Sequence, residues 1–265
     1  MRPSLSALLL LAMGIVVSGC RDAQGAKARV ASFAFVATWQ GAPLRDGRGA
    51  SSPEVEVIDA RLFVHDVRIV DDRGVETPVS LAPDGAWQTD RVALLDFAAA
   101  TEGGREGRAG HGRLVVRIPD GAPPAVALRF RLGVPFRENH ADPAVATAPL
   151  SVGSMSWGWN AGYKFLRLEG RTAEGPFAVH VGSTGCEGTF GHVTRCARPN
   201  RAEIEVPLED ERPTALDLAE LAGAGTRCMG AADEPACAPV FDVLGLDAAT
   251  GESHGTSRLW TGRRP

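Results

Sequence analysis

The sequence predicts an all-β fold, a β-sandwich or distorted barrel with long loops and one short helix, stapled by disulfides. Three observations predict it. Short runs rich in β-branched and aromatic residues recur along the chain, separated by turn signals such as Pro83-Asp84-Gly85 and Pro119-Asp120-Gly121. The 31 glycines and 18 prolines among 265 residues suit many turns and are high for a helical protein. Four cysteines, Cys186, Cys196, Cys228 and Cys237, lie late in the chain at short spacings.

Taken in order, residues 30–38 are the first candidate strand. Residues 59–70 are the best one, because Arg61, Phe63, His65, Val67 and Ile69 fall on one face by the two-residue period. Further strands are expected at 91–97, 113–118, 125–133, 155–168, 177–181 and 201–206. Residues 214–221 read as the short helix, with Thr214 as N-cap and Gly223 as the stop. The glycine-rich polar stretch 98–112 reads as a long loop. No internal repeat is visible.

The start of the chain carries its own signal. Arg2 is followed by an apolar run from Leu8 to Val17 and then by Ser18, Gly19 and Cys20. A charged start, a short apolar stretch and small residues before a cut site form a secretory signal. The run is about half of the roughly 20 apolar residues needed to span a bilayer. Val17-Ser18-Gly19-Cys20 resembles the lipobox of bacterial lipoproteins, so Cys20 is the expected lipid acceptor; the rival is an ordinary signal peptide cut near a cysteine. The expected organisation is a signal peptide over 1–20, a tether over 21–29 and one β domain over 30–265, on the periplasmic side of a membrane and attached through lipid alone.

The net charge of −4 offers no electrostatic basis for nucleic-acid binding. With Cys20 taken by lipid, an even number of cysteines remains in an exported chain, where disulfides persist. Four cysteines allow three pairings; the local ones, Cys186–Cys196 and Cys228–Cys237, close short, turn-rich loops. A four-thiolate zinc site is the rival, but the pairs are separated by nine and eight residues, not the two to four of a zinc knuckle.

The segment Met155-Ser156-Trp157-Gly158-Trp159-Asn160-Ala161-Gly162 alternates. On a strand, Met155, Trp157, Trp159 and Ala161 would share one face. One reading is a core strand with two large aromatics. The other starts from Met155 beside Trp157: a thioether selects Cu(I) among biological metals, and an indole face can sit against a cation. Among the histidines, His65 lies on the apolar face of its strand, His140 in a loop after Asn139, and His180 ahead of Gly182-Ser183-Thr184-Gly185-Cys186; His111, His192 and His254 sit in polar surroundings. A lone histidine on an apolar face is more often a hydrogen-bonded core residue than a ligand. No H-x-x-x-H, H-E-x-x-H or G-x-S-x-G pattern occurs, so a zinc protease or a serine hydrolase is unsupported.

These stretches together resemble the MbnP-like proteins of the metallo-mystery pair systems. The matching segments are Asp59-Ala-Arg-Leu-Phe-Val-His-Asp-Val67, Trp87-Gln88, Val92-Ala-Leu-Leu-Asp-Phe97, Leu132-Gly-Val-Pro-Phe136 with Asn139-His140, Met155-Ser-Trp-Gly-Trp159, Gly162-Tyr-Lys-Phe-Leu-Arg167, Gly182-Ser-Thr-Gly-Cys186, Pro199-Asn-Arg201, Leu216-Asp-Leu218, and Cys228-Met229 ahead of Cys237. The resemblance implies an exported copper-binding protein, not itself an enzyme, acting in copper homeostasis beside a MauG-like dihaem enzyme. That partner would oxidise the first tryptophan of the W-x-W motif, here Trp157, to kynurenine, and the modified protein would bind Cu(I) near a methionine and a histidine. Met155 is the expected thioether with Met229 as rival, and His65 leads His140 and His180 as the imidazole. The competing class is a lipid-anchored β-sandwich that binds a protein or glycan partner without metal.

Overall fold

The computed structural model describes residues 28–45, 48–49, 55–97, 110–158, 160–189, 191–208, 213–223, 225–230, 234–255 and 257–261. The expected signal peptide with Cys20, the loop over 98–109, and Trp159 lie outside the described residues. The strands are β1 (Ala28–Trp39), β2 (Ala42–Arg45), β3 (Arg48–Gly49), β4 (Val55–Val70), β5 (Glu76–Pro78), β6 (Ser80–Leu81), β7 (Val92–Asp96), β8 (Arg113–Pro119) and β9 (Ala127–Leu132) in the first half. The short helix α1 (Phe136–Asn139) follows, then β10 (Ser156–Gly158), β11 (Gly162–Thr172), β12 (Gly175–Gly182), β13 (Thr184–Thr189), β14 (His192–Arg198), β15 (Glu203–Pro207), β16 (Thr214–Asp217), β17 (Arg227–Cys228), α2 (Cys237–Leu244) and β18 (Trp260–Thr261).

β4 is the spine. Its 16 residues are mostly β-branched or apolar, and 12 of them are buried. Along its length it pairs antiparallel with β11, β7, β9 and β5 in turn. β1 changes partner midway: Ala28 to Ala34 pair with β8, while Phe35 to Thr38 run parallel to β16. A strand that passes from one sheet to another makes a sandwich corner. The strand path runs from β17 through β12, β11, β4, β3, β2, β1 and β16 to β18 and does not return on itself. Of the two expected architectures the sandwich is therefore the observed one, and the barrel is not closed. Phe35, Phe130 and Trp260 meet edge-to-face at 5.3–6.2 Å between ring centres, tying β1, β9 and β18 into one core.

Three expectations need correction. The strand expected over 155–168 is two strands of a hairpin, β10 and β11, and Met155 precedes it at the end of a 3-10 turn, Gly153–Met155. Met155 and Trp157 therefore do not alternate along one strand. The helix expected over 214–221 is the strand β16 followed by a 3-10 turn, Leu218–Glu220, capped by the Asp217 carboxylate, which accepts from Ala219 N. Parallel pairing with β1 overrides the helix-like composition. The first strand begins at Ala28, two residues inside the expected tether.

Both disulfides are the sequence-local ones. Cys186–Cys196 joins facing residues of the β13–β14 hairpin, and Cys228–Cys237 ties β17 to the start of α2. In the chain-entropy picture a loop of this size contributes about 2–3 kcal/mol. Replacing Cys228 and Cys237 together by serine is expected to lower unfolding stability by that amount. A urea midpoint equal to the parent's would show that the bond adds nothing to the native state.

Candidate metal centre

Three adjacent strands and the end of a fourth build the site. β10 pairs with β11, β11 with β12, and β12 runs parallel to β17, where Val179 faces Cys228. This places Trp157 of β10, His180 of β12 and the residues after β17, Met229 and Gly230, around one place.

The hairpin turn is pinned from outside. Asn139, 1% exposed, accepts from Tyr163 N through Oδ1 at 2.9 Å and donates through Nδ2 to Ala161 O at 3.1 Å. A side chain at Gly162 would collide with Asn139, its Cβ coming 2.3–2.5 Å from that residue's atoms. His140 continues this brace: its Nε2 lies 3.1 Å from Asn139 Nδ2 and 3.4 Å from Cys196 Sγ, and its ring packs on Phe136.

Beneath Trp157 runs a ladder of charges. Arg61 binds Asp59 through two bonds, Nε–Oδ1 at 2.8 Å and Nη2–Oδ2 at 2.6 Å, with both side chains buried. Arg167 Nε lies 3.3 Å from Asp59 and forms a two-pronged pair with Glu169, 3.0 Å on each arm. Glu169 Oε1 in turn lies 2.7 Å from His180 Nε2. The registers explain the order, since Arg167 faces Arg61 on β4 and His180 on β12. Although burial pushes the Glu169 carboxyl upward, the bonds from Arg167 and His180 bring it down to about 2. Burial lowers the His180 imidazole despite its carboxylate partner. An ionised carboxylate only accepts, so the proton between them sits on Nε2. Nδ1 of His180 is buried and has no hydrogen-bond partner among the described residues.

Trp157 stands over this end of the ladder. Its ring meets the His180 ring edge-on, 6.2 Å between centres at 88°. The indole rests on two glycines: a Cβ at Gly182 would come within 3.0 Å of it, and one at Gly230, where φ is +82°, within 2.7 Å. Half-buried, Trp157 opens on a cleft of about 290 Å³ that Met229, Thr184 and Cys186 also line. Two groups of metal-type atoms lie within 4.8 Å of one another, His140 with Cys186 and Cys196, and Glu234 with Cys228 and Cys237. In both, the sulfurs are joined to each other in disulfides and supply no thiolate.

Of the expected site residues, Trp157 and His180 are thus in ring contact, and Met229 lines the cleft on which Trp157 opens. Met155 is fully buried within the hydrophobic core. His65 is buried on β4, its Nδ1 2.9 Å from Gly133 O. His140 braces the hairpin and the Cys186–Cys196 bond. Sequence reading missed the ladder of Asp59, Arg61, Arg167 and Glu169: Arg61 lies on the same face as Phe63 and His65, but its place beside Arg167 depends on the neighbouring strand, and Arg167 and Glu169 alternate with apolar residues as a solvent-facing set would. It also missed Asn200, which donates Nδ2 to Gly182 O at 2.8 Å and so holds the floor under Trp157.

The sequence matches the family MbnP over residues 28–224. The chain belongs to the MbnP family. It is also similar to a solved structure, MbnP from Methylosinus trichosporium, at 28% identity and a TM-score of 0.73, covering 89% of this chain and 98% of that one. No match was found among curated proteins. The family segments converge on the site just described: Asn139-His140 on the hairpin turn, Gly182 to Cys186 on the floor and rim, and Pro199-Asn200-Arg201 behind them. There Ser183 Oγ donates to Pro199 O, and Arg201 Nε donates to Val134 O while its guanidinium lies 5.0 Å from the centre of the Phe165 ring.

His65 gives a pH test of the core beside this machinery. Burial, reinforced by the Arg201 cation, brings its imidazole from 6.5 to about 4. The unfolded chain then binds the extra proton first as pH falls, so stability present above about 6.5 is lost progressively down to about 4. The full shift corresponds to roughly 3 kcal/mol. His65→Gln, which keeps a donor for Gly133 O, is expected to flatten that slope in urea unfolding between pH 7 and pH 4. An unchanged slope in the variant would mean that His65 does not carry the acid sensitivity.

Proposed function

We propose that this chain is an exported, lipid-anchored copper(I)-binding protein for copper homeostasis, whose site is completed by oxidation of Trp157 to kynurenine by a MauG-like dihaem partner enzyme. The observation that carries this reading is the half-buried Trp157, seated on Gly182 and Gly230 against His180, whose Nδ1 is buried without a hydrogen-bond partner among the described residues. The donor set fits copper. An imidazole nitrogen backed by a carboxylate resembles the outer-shell arrangement found behind metal-bound histidines, and the Met229 thioether is a soft donor suited to Cu(I). Geometry favours His180 over His65 and His140, and Met229 over Met155.

The need for oxidation follows from the indole. Its N–H is a donor with no in-plane lone pair to offer. Kynurenine opens the ring and presents an aniline nitrogen and a ketone oxygen, either of which can ligate copper or hold a water beside it. The open face of Trp157 towards the cleft leaves the ring accessible to chemistry, while the glycines beneath keep it in one place. The protein acts here as the partner's substrate and then as a copper carrier, with copper as cargo.

When the protein is produced together with its dihaem partner, the peptide holding Trp157 is expected to gain an oxygen and lose a carbon, about 4 Da by mass spectrometry. The change should fall on Trp157 and not Trp159. Trp157→Phe should fold yet take up no stoichiometric copper. Copper-loaded protein with an intact Trp157 would break the link to oxidation. An intact Trp157 with no copper in any preparation would favour the metal-free module that binds a protein or glycan. For the anchor, Cys20→Ser should leave the membrane fraction; a variant that sediments with membranes as the parent does would refute lipid attachment at Cys20.

A further inference from the structure

The ladder under Trp157 ends on a histidine with one ring nitrogen engaged and the other bare. We propose that Glu169 is a positioning residue for the copper site: it accepts the Nε2 proton of His180 and thereby assigns Nδ1 as the ligand nitrogen. This rests on the reading of His180 as a copper ligand.

The argument is geometric. Glu169 is gripped on both oxygens by Arg167, at 3.0 Å on each arm, which holds it as a carboxylate in a fixed plane. The 2.7 Å bond to His180 Nε2 must then have the histidine as donor. A ring that donates from Nε2 can offer a metal only its other nitrogen, Nδ1, which is buried and meets no hydrogen-bond partner among the described residues. Arg167 is itself fixed by Asp59 at 3.3 Å, whose other ion-pair partner, Arg61, is also buried. The same Arg167 donates through Nη1 to Ser154 O at 3.0 Å, and Lys164 donates to Ser154 O at 2.9 Å and Ser156 O at 3.1 Å. These carbonyls belong to the turn that leads into Trp157. One arginine thus sets the orientation of the His180 ring, through Glu169, and the position of the chain carrying Trp157.

A ladder that only stabilised the fold would leave the tautomer and the copper affinity indifferent to its last carboxylate. The test uses the full chain in detergent micelles, labelled with nitrogen-15 histidine, His180 being assigned by comparison with His180→Gln. In metal-free wild type, His180 is expected as the Nε2–H tautomer. Glu169→Ala should shift it towards Nδ1–H and weaken Cu(I) binding, measured against a chromogenic Cu(I) chelator in partner-oxidised protein, by 10-fold or more. Glu169→Gln retains a carbonyl acceptor and should restore the tautomer and much of the affinity; together with the wild-type spectrum it decides the matter if the alanine variant does not fold. An Nδ1–H tautomer in wild type, or a folded Glu169→Ala variant unchanged in both tautomer and affinity, overturns the assignment even where His180→Ala abolishes binding. Full-strength binding by His180→Ala instead removes the ligand reading on which the assignment rests.

Discussion

The site depends on one buried interaction, the carboxylate of Asp59 shared between Arg61 and Arg167. Arg61 and Arg167 face each other across β4 and β11, a like-charge pairing that would be destabilising without an anion between them. Asp59 supplies it, and its side chain is 1% exposed. Such a buried group is weak evidence for stability, because desolvation offsets much of the attraction. Its effect is on register. A slip of one residue between β4 and β11 would turn Arg167 into the apolar core and break its contact with Asp59, leaving Asp59 only Arg61 of its own strand, and losing one partner of a buried pair costs about 3–5 kcal/mol. The pairing that fixes β11 against β4 also fixes Glu169 under His180.

A second constraint acts from above. On the proposed reading, an indole that is to be reached by another protein cannot be fully packed, yet one left loose would have no defined relation to its neighbours. The chain meets both needs with missing side chains. Gly182 and Gly230 let the ring settle on backbone, and Asn200 and Ser183 tie the Gly182 segment to the connection between β14 and β15. The Cys228–Cys237 bond holds the Met229–Gly230 segment at the end of β17. Each device is local, but all of them hang on strands whose order β4 sets.

How much of this was legible in the sequence depended on whether local pattern and tertiary context agree. β4 was legible because a long β-branched run with a two-residue period has one comfortable home, and the disulfides because short loops favour local pairing. The hairpin at Trp157 was hidden because its turn, ending at Gly162, continues the alternation of β10, so one strand was read where there are two. Thr214 to Leu221 looked helical, yet its first half pairs with β1. α2 escaped because Pro239 lies inside it; in a first turn proline costs no hydrogen bond. The charged ladder was invisible in principle. Arg167 and Glu169 alternate with apolar residues as any exposed face would, and only the neighbouring strands reveal that Asp59 and His180 are their partners.

The sulfur chemistry shows why, on the proposed reading, metal binding would wait on a modified tryptophan. Thiolates hold Cu(I) more strongly than thioethers, and this chain has four cysteines close to the cleft and its floor. All four are joined in disulfides that shape the β13–β14 hairpin and the end of β17, which the oxidising compartment expected for an exported chain favours. What remains around Trp157 among the described residues is one imidazole, whose Nδ1 meets no hydrogen-bond partner there, and one thioether, a soft but weak pair. An intact indole adds nothing to that pair, because it can only donate. Opening the ring would convert a group that meets His180 and opens on the cleft lined by Met229 from a bystander into a donor of lone pairs. The strands can therefore be built, oxidised and stapled first, and competence for copper added last by a single change in the one ring that the glycines keep in reach.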